Sequence, residues 1–360
     1  MDRLQIAFFG ATNSGKSTLV NALAGQEVSL VSELPGTTTD PVRKAIELPG
    51  LGPCILVDTA GYGDPGALGA ERERRSRATI DATDIAVLLR SGHPEDDRWV
   101  QLLQTAQFPE LEIHSRAEAN DQTALLKRLQ AAQPQEKQRL LTGGLVGKDD
   151  VVVLVMPQDS EAPKGRLILP QVQVLRELLD LGSIPVCCQP EGLQRALDGL
   201  SAPPALTITD SQAFAKVNAI LPPDAPLTSF SILLAGAKGD IRTFVESAKA
   251  IGTLKPGDHV LIAEACTHVP DTEDIGRVKI PNLLRKRVGG DLEVTIAAGN
   301  DFPDDLTPYR LIIQCGGCVA TERLLRSRIR KAILAGVPIT NYGIALAALT
   351  GILNRVVIPG

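Results

Sequence analysis

Gly10-Ala11-Thr12-Asn13-Ser14-Gly15-Lys16-Ser17 fits G-x-x-x-x-G-K-[ST] at every fixed position, and nothing else in the chain constrains its folding as tightly. Residues 4–9 before it read as a short apolar strand, and residues 16–24 after it as a helix. In that setting the glycines let backbone N–H groups turn inward around phosphate oxygens. Lys16 adds charge, the Ser17 hydroxyl can ligate Mg2+, and the helix presents its positive end. An ordinary strand-to-helix turn has no use for lysine and serine together.

Two further pieces follow in order. A second strand, residues 54–57, ends in Asp58-Thr59-Ala60-Gly61, where Asp58 can hold the Mg2+ shell and Gly61 can swing its N–H toward a terminal phosphate. Between the two motifs lies Pro35-Gly36-Thr37-Thr38-Thr39-Asp40-Pro41, a loop suited to closing over the metal, with Thr38 the first candidate ligand and Thr37 the second. The candidate nucleotide-binding set is therefore Gly10, Asn13, Ser14, Gly15, Lys16, Ser17, Thr18, Thr37, Thr38, Asp58 and Gly61, with Ser17, Thr38 and Asp58 on magnesium. A third strand at residues 85–89, reached through a charged helical stretch at 71–77, makes an α/β fold with a parallel sheet.

These three pieces resemble the translation-factor-like GTPases related to TrmE and Era, which implies GTP as ligand and hydrolysis to GDP and phosphate. Tyr62 stands after Gly61, where many members of that group carry the glutamine that orients water, so hydrolysis is expected to be slow. Asn13 matches the asparagine of potassium-stimulated members, which makes K+ a candidate cofactor; a plain loop asparagine reads equally well. The group reads guanine with N-K-x-D, and no such tetrapeptide occurs in this chain. By spacing the nearest counterpart is Ser115-Arg116-Ala117-Glu118, which corresponds equally well to the later S-A motif, because one short strand, residues 111–114, stands where two are expected. Phosphate binding with weakened or lost guanine discrimination is the expectation.

Beyond residue 147 the α/β pattern resumes twice. Strands are expected at 151–156, 185–188, 206–209 and 230–234, with helices at 169–181, 191–200 and 211–219. After residue 240, strands are expected at 259–263, 293–297, 311–314 and 338–340, and helices at 280–288, 320–335 and 343–355. The expected architecture is a P-loop GTPase domain, 1–147, followed by two further α/β domains with mainly parallel sheets, 148–239 and 240–360.

Six cysteines in 360 residues are too few for a disulfide-stapled fold. Cys54, Cys187 and Cys188 lie in or beside apolar runs and read as small hydrophobes. Cys266-Thr267-His268 and Cys315-Gly316-Gly317-Cys318 instead follow strands, at the edge where open parallel sheets place ligands. Three thiolates and an imidazole suit Zn2+, Cu(I) or an iron–sulfur cluster. Structural zinc in a Cys3His site fits the spacing as well, and three thiolates on a cluster leave one iron open.

The segments Ala162-Pro163-Lys164-Gly165-Arg166, Thr207-Ile208-Thr209-Asp210-Ser211, Glu264-Ala265-Cys266-Thr267-His268, Asp274-Ile275-Gly276-Arg277-Val278-Lys279 and Gly336-Val337-Pro338-Ile339-Thr340-Asn341-Tyr342-Gly343, placed after a phosphate-loop domain, resemble the HydF family of [FeFe]-hydrogenase maturation GTPases. That resemblance implies a GTPase domain, a dimerisation domain and a cluster domain holding [4Fe-4S] through Cys266, Cys315 and Cys318, with His268 a candidate fourth ligand. It also implies a transient diiron subcluster precursor as cargo, two radical-SAM maturases and apo-[FeFe]-hydrogenase as partners, and a homodimer. The family's usual histidine before C-x-x-C is Gln314 here, which leaves His268, water or another donor for the fourth site and admits a divergent member with altered nucleotide or cargo handling.

Composition narrows the remaining classes. With 37 Lys+Arg against 42 Asp+Glu the net charge is -5, and aromatics are 3%, so neither a broad basic surface nor a stacking platform for nucleic acid is available. The longest apolar run, residues 342–353, is too short to span a bilayer, and no signal-peptide pattern opens the chain. A soluble cytoplasmic protein acting without membrane or nucleic acid is expected. The competing functions are a metallocluster scaffold with a slow GTPase, a regulatory NTPase stabilised by zinc, and a scaffold whose nucleotide site has decayed.

Overall fold

The computed structural model describes residues 3–25, 41–63, 67–106, 110–114, 118, 121–134, 139–158, 165, 167–265, 274–299, 301–318 and 320–360. It divides into two compact units, Met1–Lys137 and Gln138–Gly360.

In the first unit β1 (Leu4–Gly10) leads into α1 (Lys16–Ala24), then β2 (Val42–Leu48), β3 (Gly52–Asp58), α2 (Ala67–Ile80), β4 (Ile85–Leu89), α3 (Asp96–Thr105), β5 (Glu110–Ile113) and α4 (Gln122–Ala131). The five strands stand in the order β2-β3-β1-β4-β5, parallel except for β2. Alternation along β1 divides the core. Ile6 and Phe8 pack with Leu19, Val20 and Leu23 of α1 and Leu125 and Leu129 of α4, while Ala7 and Phe9 pack with Ile80 of α2 and Trp99 and Leu103 of α3.

In the second unit β6 (Val151–Val155), α5 (Leu169–Asp180), β7 (Ile184–Cys188), α6 (Leu193–Asp198), β8 (Leu206–Thr209), α7 (Phe214–Ile220) and β9 (Leu227–Ser229) form a four-stranded parallel sheet ordered β7-β6-β8-β9. Two helices follow, α8 (Phe230–Lys238) and α9 (Ile241–Ser247). A second parallel sheet, β11-β10-β12-β13, is built from β10 (His259–Ala263), β11 (Glu293–Ala297), β12 (Leu311–Gln314) and β13 (Ile339–Asn341), with α10 (Ile280–Val288), α11 (Glu322–Leu334) and α12 (Tyr342–Leu349). One apolar core runs from Val153 and Val155 through Ile232 and Ala235 to Ile262, Ile312 and Ile344, so the two sheets share their interior. Val356 bridges to Leu227 beside β9, and Arg355 donates to Asn218 Oδ1, Pro222 O and Ala225 O.

The α/β architecture with mainly parallel sheets is as expected from the sequence. One expected element has the other type: residues 230–234, read as a strand, are the start of α8. A fully apolar run carries no period to separate buried helix from buried strand. Ser229 decides it, its hydroxyl accepting the Ile232 N–H at 3.2 Å as a helix cap. Residues 142–147, read as the end of the first domain, pack in the second unit, where Val146 joins Val152, Leu154 and Val174.

Candidate nucleotide site and cysteine site

The phosphate loop, residues 11–15, joins β1 to α1 as its sequence requires. Gly15 has φ +99° and Asn13 φ +62°, the left-handed region that asparagine enters more readily than most side chains. Asn13 thus meets a backbone demand of the loop, a role that stands whether or not its side chain binds a cation.

Lys16 is buried, and its ammonium donates to the carbonyls of Gly10 at 3.0 Å and Ala11 at 2.8 Å. Burial lowers its pKa from 10.5 to about 8, against the raising effect of the Asp58 carboxylate. Asp58, at the end of β3, is pushed upward by burial, which outweighs its hydrogen bond from the Ser17 hydroxyl and the charges of Lys16 and Lys44. Ser17, Asp58 and Lys16 are therefore brought together. Asp58 Oδ1 and Ser14 Oγ are buried with no hydrogen-bond partner among the described residues. Buried polar atoms left in this state fit a loop built to receive phosphate oxygens and a hard cation.

Gly61 sits against the loop: a Cβ there would lie 2.5 Å from Thr12 Cα and N, so only glycine fits. Thr12 N–H donates to Tyr62 O at 3.0 Å, and Tyr62 N–H to Gly10 O at 3.4 Å, which ties the D-x-x-G segment to the loop. The Tyr62 side chain turns away from the loop into the core, stacked on Trp99 with ring centres 5.0 Å apart. Its hydroxyl donates to Asp96 Oδ1, and burial followed by that carboxylate raises its pKa. Thr37 and Thr38 lie outside the described residues.

On the base side, β5 is the last strand of the sheet among the described residues. The helix after it, α4, packs on the α1 face. A right-handed crossover adding a strand beyond β5 would carry its helix on the α2 and α3 face instead. Glu118 is exposed, accepts the His114 N–H at 3.1 Å and lies 3.8 Å from Arg128 Nη1.

The cysteine turn follows β12. Cys315 and Cys318 are half-buried thiols. Gly317 has φ +63°, and a Cβ on it would strike Leu325 Cδ1 at 2.6 Å, so this position also demands glycine. The Ala265 N–H donates to Cys315 Sγ at 3.1 Å. Ala265 is bonded to Cys266; Cys266 and His268 themselves lie outside the described residues, and among those described no group of three or more His, Cys, Asp or Glu could hold a metal ion. Half-buried thiols in a glycine turn, one already receiving a backbone N–H, fit a thiolate-held group. Gln314 is buried at the end of β12, with Oε1 lacking a hydrogen-bond partner among the described residues.

Comparison with known proteins bears on both sites. Residues 5–123 match a family described as 50S ribosome-binding GTPase. Residues 141–239 match the hydrogen maturase F dimerization domain, and residues 242–359 the hydrogen maturase F tetramerization domain. The chain belongs to the hydrogen maturase F family. The tRNA modification GTPase MnmE of Nitrosomonas europaea is 36% identical over 128 residues, 34% of this chain and 28% of that protein. MnmE of Acidiphilium cryptum is 48% identical over 86 residues, 24% of this chain and 20% of that protein. The chain thus spans under a third of the length of these curated relatives. Among solved structures, Aquifex aeolicus Era bound to GDP.AlF4- is 16% identical with a TM-score of 0.28, covering 83% of this chain and 95% of that one. A probable GTP-binding protein engB is 20% identical with a TM-score of 0.27, covering 36% and 79%.

In this hydrogen maturase F family member, residues to which the sequence assigns no role surround the cysteine turn. Glu264, buried at the end of β10 two residues before Cys266, accepts Arg277 Nη2 at 2.7 Å and Nε at 3.1 Å. Arg328, buried in α11, donates to Glu264 O at 3.1 Å and Gly299 O at 2.5 Å. Lys238, at the end of α8, reaches the turn itself. The hints in the sequence are a single charge closing an apolar run, Lys238 at the end of α8 and Glu264 after β10; Arg328 is one of four arginines in α11 and carries none. No helix among the described residues is long and apolar enough to cross a membrane.

Proposed function

We propose that this hydrogen maturase F family member is a hydrogenase-maturation scaffold and carrier. In this reading Cys266, Cys315 and Cys318 hold a [4Fe-4S] cluster and His268 is the candidate fourth ligand. The carrier takes a diiron subcluster precursor from the two radical-SAM maturases to apo-[FeFe]-hydrogenase. The contact that carries the reading is the Ala265 N–H on Cys315 Sγ at 3.1 Å, because it brings the residue bonded to Cys266 against the C-x-x-C turn. A cluster on three thiolates would offer one iron to an outside ligand. The protein's own part is to point backbone N–H groups at sulfur and to keep the turn compact through Gly316 and Gly317.

The nucleotide domain is read as binding GTP with Mg2+ on Ser17, Thr38 and Asp58, with Asn13 a candidate for K+. It hydrolyses slowly, because Tyr62 is committed to the core and not to water beside a terminal phosphate. Phosphate contacts that order residues 37–40 would bias a loop between two states and so gate partner binding. The working division is 1–147 for the nucleotide domain, 148–239 for dimerisation and 240–360 for the cluster, with residues 142–147 packing in the second unit. Self-association is supported by exposed apolar side chains on α5 and the edge strand β7, among them Leu179 at 51% and Ile184 at 52% exposure.

Anaerobic purification with iron, sulfide and zinc assays and EPR tests the reading, with Cys315→Ala as control. Iron and sulfide lost in the variant are expected. Zinc without iron in the wild-type protein would overturn the cluster and leave the zinc-stabilised NTPase.

A further inference from the structure

We propose that Lys238 is a positioning residue for the cysteine turn: an ammonium at the end of a helix in the dimerisation segment that fixes the ligand-bearing turn of the segment after it. The inference rests on the cluster reading of that turn.

Helix α8 is apolar except at its ends, and Lys238 is only 5% exposed. A buried ammonium is costly unless its N–H groups find acceptors, and it has three of them. The structure supplies Gly317 O at 3.2 Å, Cys318 O at 3.4 Å and Ala320 O at 3.0 Å, all from the C-x-x-C turn and the entry to α11. A planar trans peptide carries its C=O and the following N–H in opposite directions. Holding Gly317 O on the ammonium therefore aims the Cys318 N–H away from it.

The same helix meets the turn at its other end. A Cβ on Gly316 would lie 3.5 Å from Ser231 Oγ, and Ser231 is itself held by Asn341 Nδ2 at 3.2 Å from that hydroxyl and 3.1 Å from its carbonyl. The turn is braced along the length of α8. Immediately after it, Thr321 caps the N-terminus of α11, accepting the Leu324 N–H at 3.2 Å. A helix N-terminus favours negative charge. Lysine beside one has the unfavourable sign, and Glu322 in that first turn is engaged by Arg326 at 2.6 Å. A cation placed there becomes favourable when the turn carries thiolate charge. Lys238 falls among the residues matched to the dimerization domain and its acceptors among those matched to the tetramerization domain. The ligand turn is thus shaped from a neighbouring segment of the chain.

The test uses the full chain, reconstituted anaerobically with iron and sulfide, as wild type, Lys238→Met and Lys238→Arg. Folding is checked by thermal melting and gel filtration. Methionine keeps length and apolar bulk but removes charge and donors. Loss of iron to a chelator is expected to be roughly 10-fold faster or more, the scale seen when groups supporting metal ligands are removed. The midpoint potential from EPR-monitored titration is expected to move to more negative values, and arginine to restore both readouts in part. Wild-type iron retention and potential in K238M would overturn the proposal. Should K238M fail to fold, Lys238→Gln, which keeps one donating amide, is read the same way. Failure of both to fold also overturns it, since Lys238 would then support the domain and not the turn. A wild-type chain that takes up no iron sinks the cluster reading instead, which keeps the two failures apart.

Discussion

The Tyr62 hydroxyl donates to Asp96 Oδ1 at 2.6 Å, while the other oxygen of Asp96 accepts N–H groups from Ser91, Gly92 and His93 at 2.9 to 3.1 Å. One carboxylate thus anchors both the segment after D-x-x-G and the turn that starts α3. Tyr62→Phe removes one donor from that carboxylate and is expected to cost about 1.5–3 kcal/mol, the usual range for a hydrogen bond to a charged group. Urea unfolding followed by fluorescence measures it. The hydrolysis rate should stay unchanged, since the hydroxyl faces the core.

Trp99 is the single tryptophan of the chain and stacks on Tyr62 at an interplanar angle of 12°. Because Tyr62 is hydrogen-bonded through its backbone to Thr12 and Gly10, a phosphate entering the loop is expected to change Trp99 emission. The titration should be saturable in the wild type and flat in Lys16→Ala. A change that persists in the lysine variant would remove the loop as its source.

Lys16 sets a pH dependence. Its folded pKa is depressed to about 8 from 10.5, so between those values the unfolded chain binds more protons than the folded one. Stability of the nucleotide-free protein from this group therefore rises with pH across roughly pH 8 to 10.5. Nucleotide affinity should run the other way. Above about pH 8 the free site must take up a proton to meet phosphate, and affinity should fall by up to about tenfold per pH unit. Calorimetry in buffers of different ionisation enthalpy would detect that proton uptake, and its absence at pH 9 would remove Lys16 from phosphate binding.

Base selection should be weak. No N-K-x-D occurs in the chain, and among the described residues no strand follows β5 in the sheet, while α4 packs on the α1 face. Equilibrium binding of non-hydrolysable GTP and ATP analogues is expected to agree within about one order of magnitude, about 1.4 kcal/mol. A preference for GTP of several orders would show that another segment reads the base.

Strand β7 is an edge, paired with β6 alone among the described residues, and exposes Ile184 at 52%; Leu179 of α5 is 51% exposed. Leu179→Glu and Ile184→Glu together should lower the molar mass seen by light scattering while the thermal melt stays cooperative. An unchanged mass would move the self-association surface elsewhere.

Legibility followed the physics of each element. The strand, loop and helix around Lys16 were plain because the motif fixes residue types at fixed spacing. The antiparallel β2 was passed over because Val-Arg-Lys-Ala-Ile-Glu-Leu is half polar and lies on a sheet edge. Helix α8 was misread as strand because its apolar run has no period, and only the Ser229 cap distinguishes the two. The cysteine turn could be located from sequence, but its support from Lys238 could not. Cys318 and Lys238 are 80 residues apart, and no local pattern encodes such a contact.

The bonds from Arg355 to Asn218, Pro222 and Ala225, at separations of 130 to 137 residues, impose an order on synthesis. The nucleotide sheet is complete once residue 131 has left the ribosome. The flank of the middle sheet stays unsealed until residues 355–357 emerge. A nascent chain therefore displays a finished phosphate loop well before the second unit is sealed, and premature arrest anywhere in that interval leaves the loop formed while the middle sheet is still open along that flank.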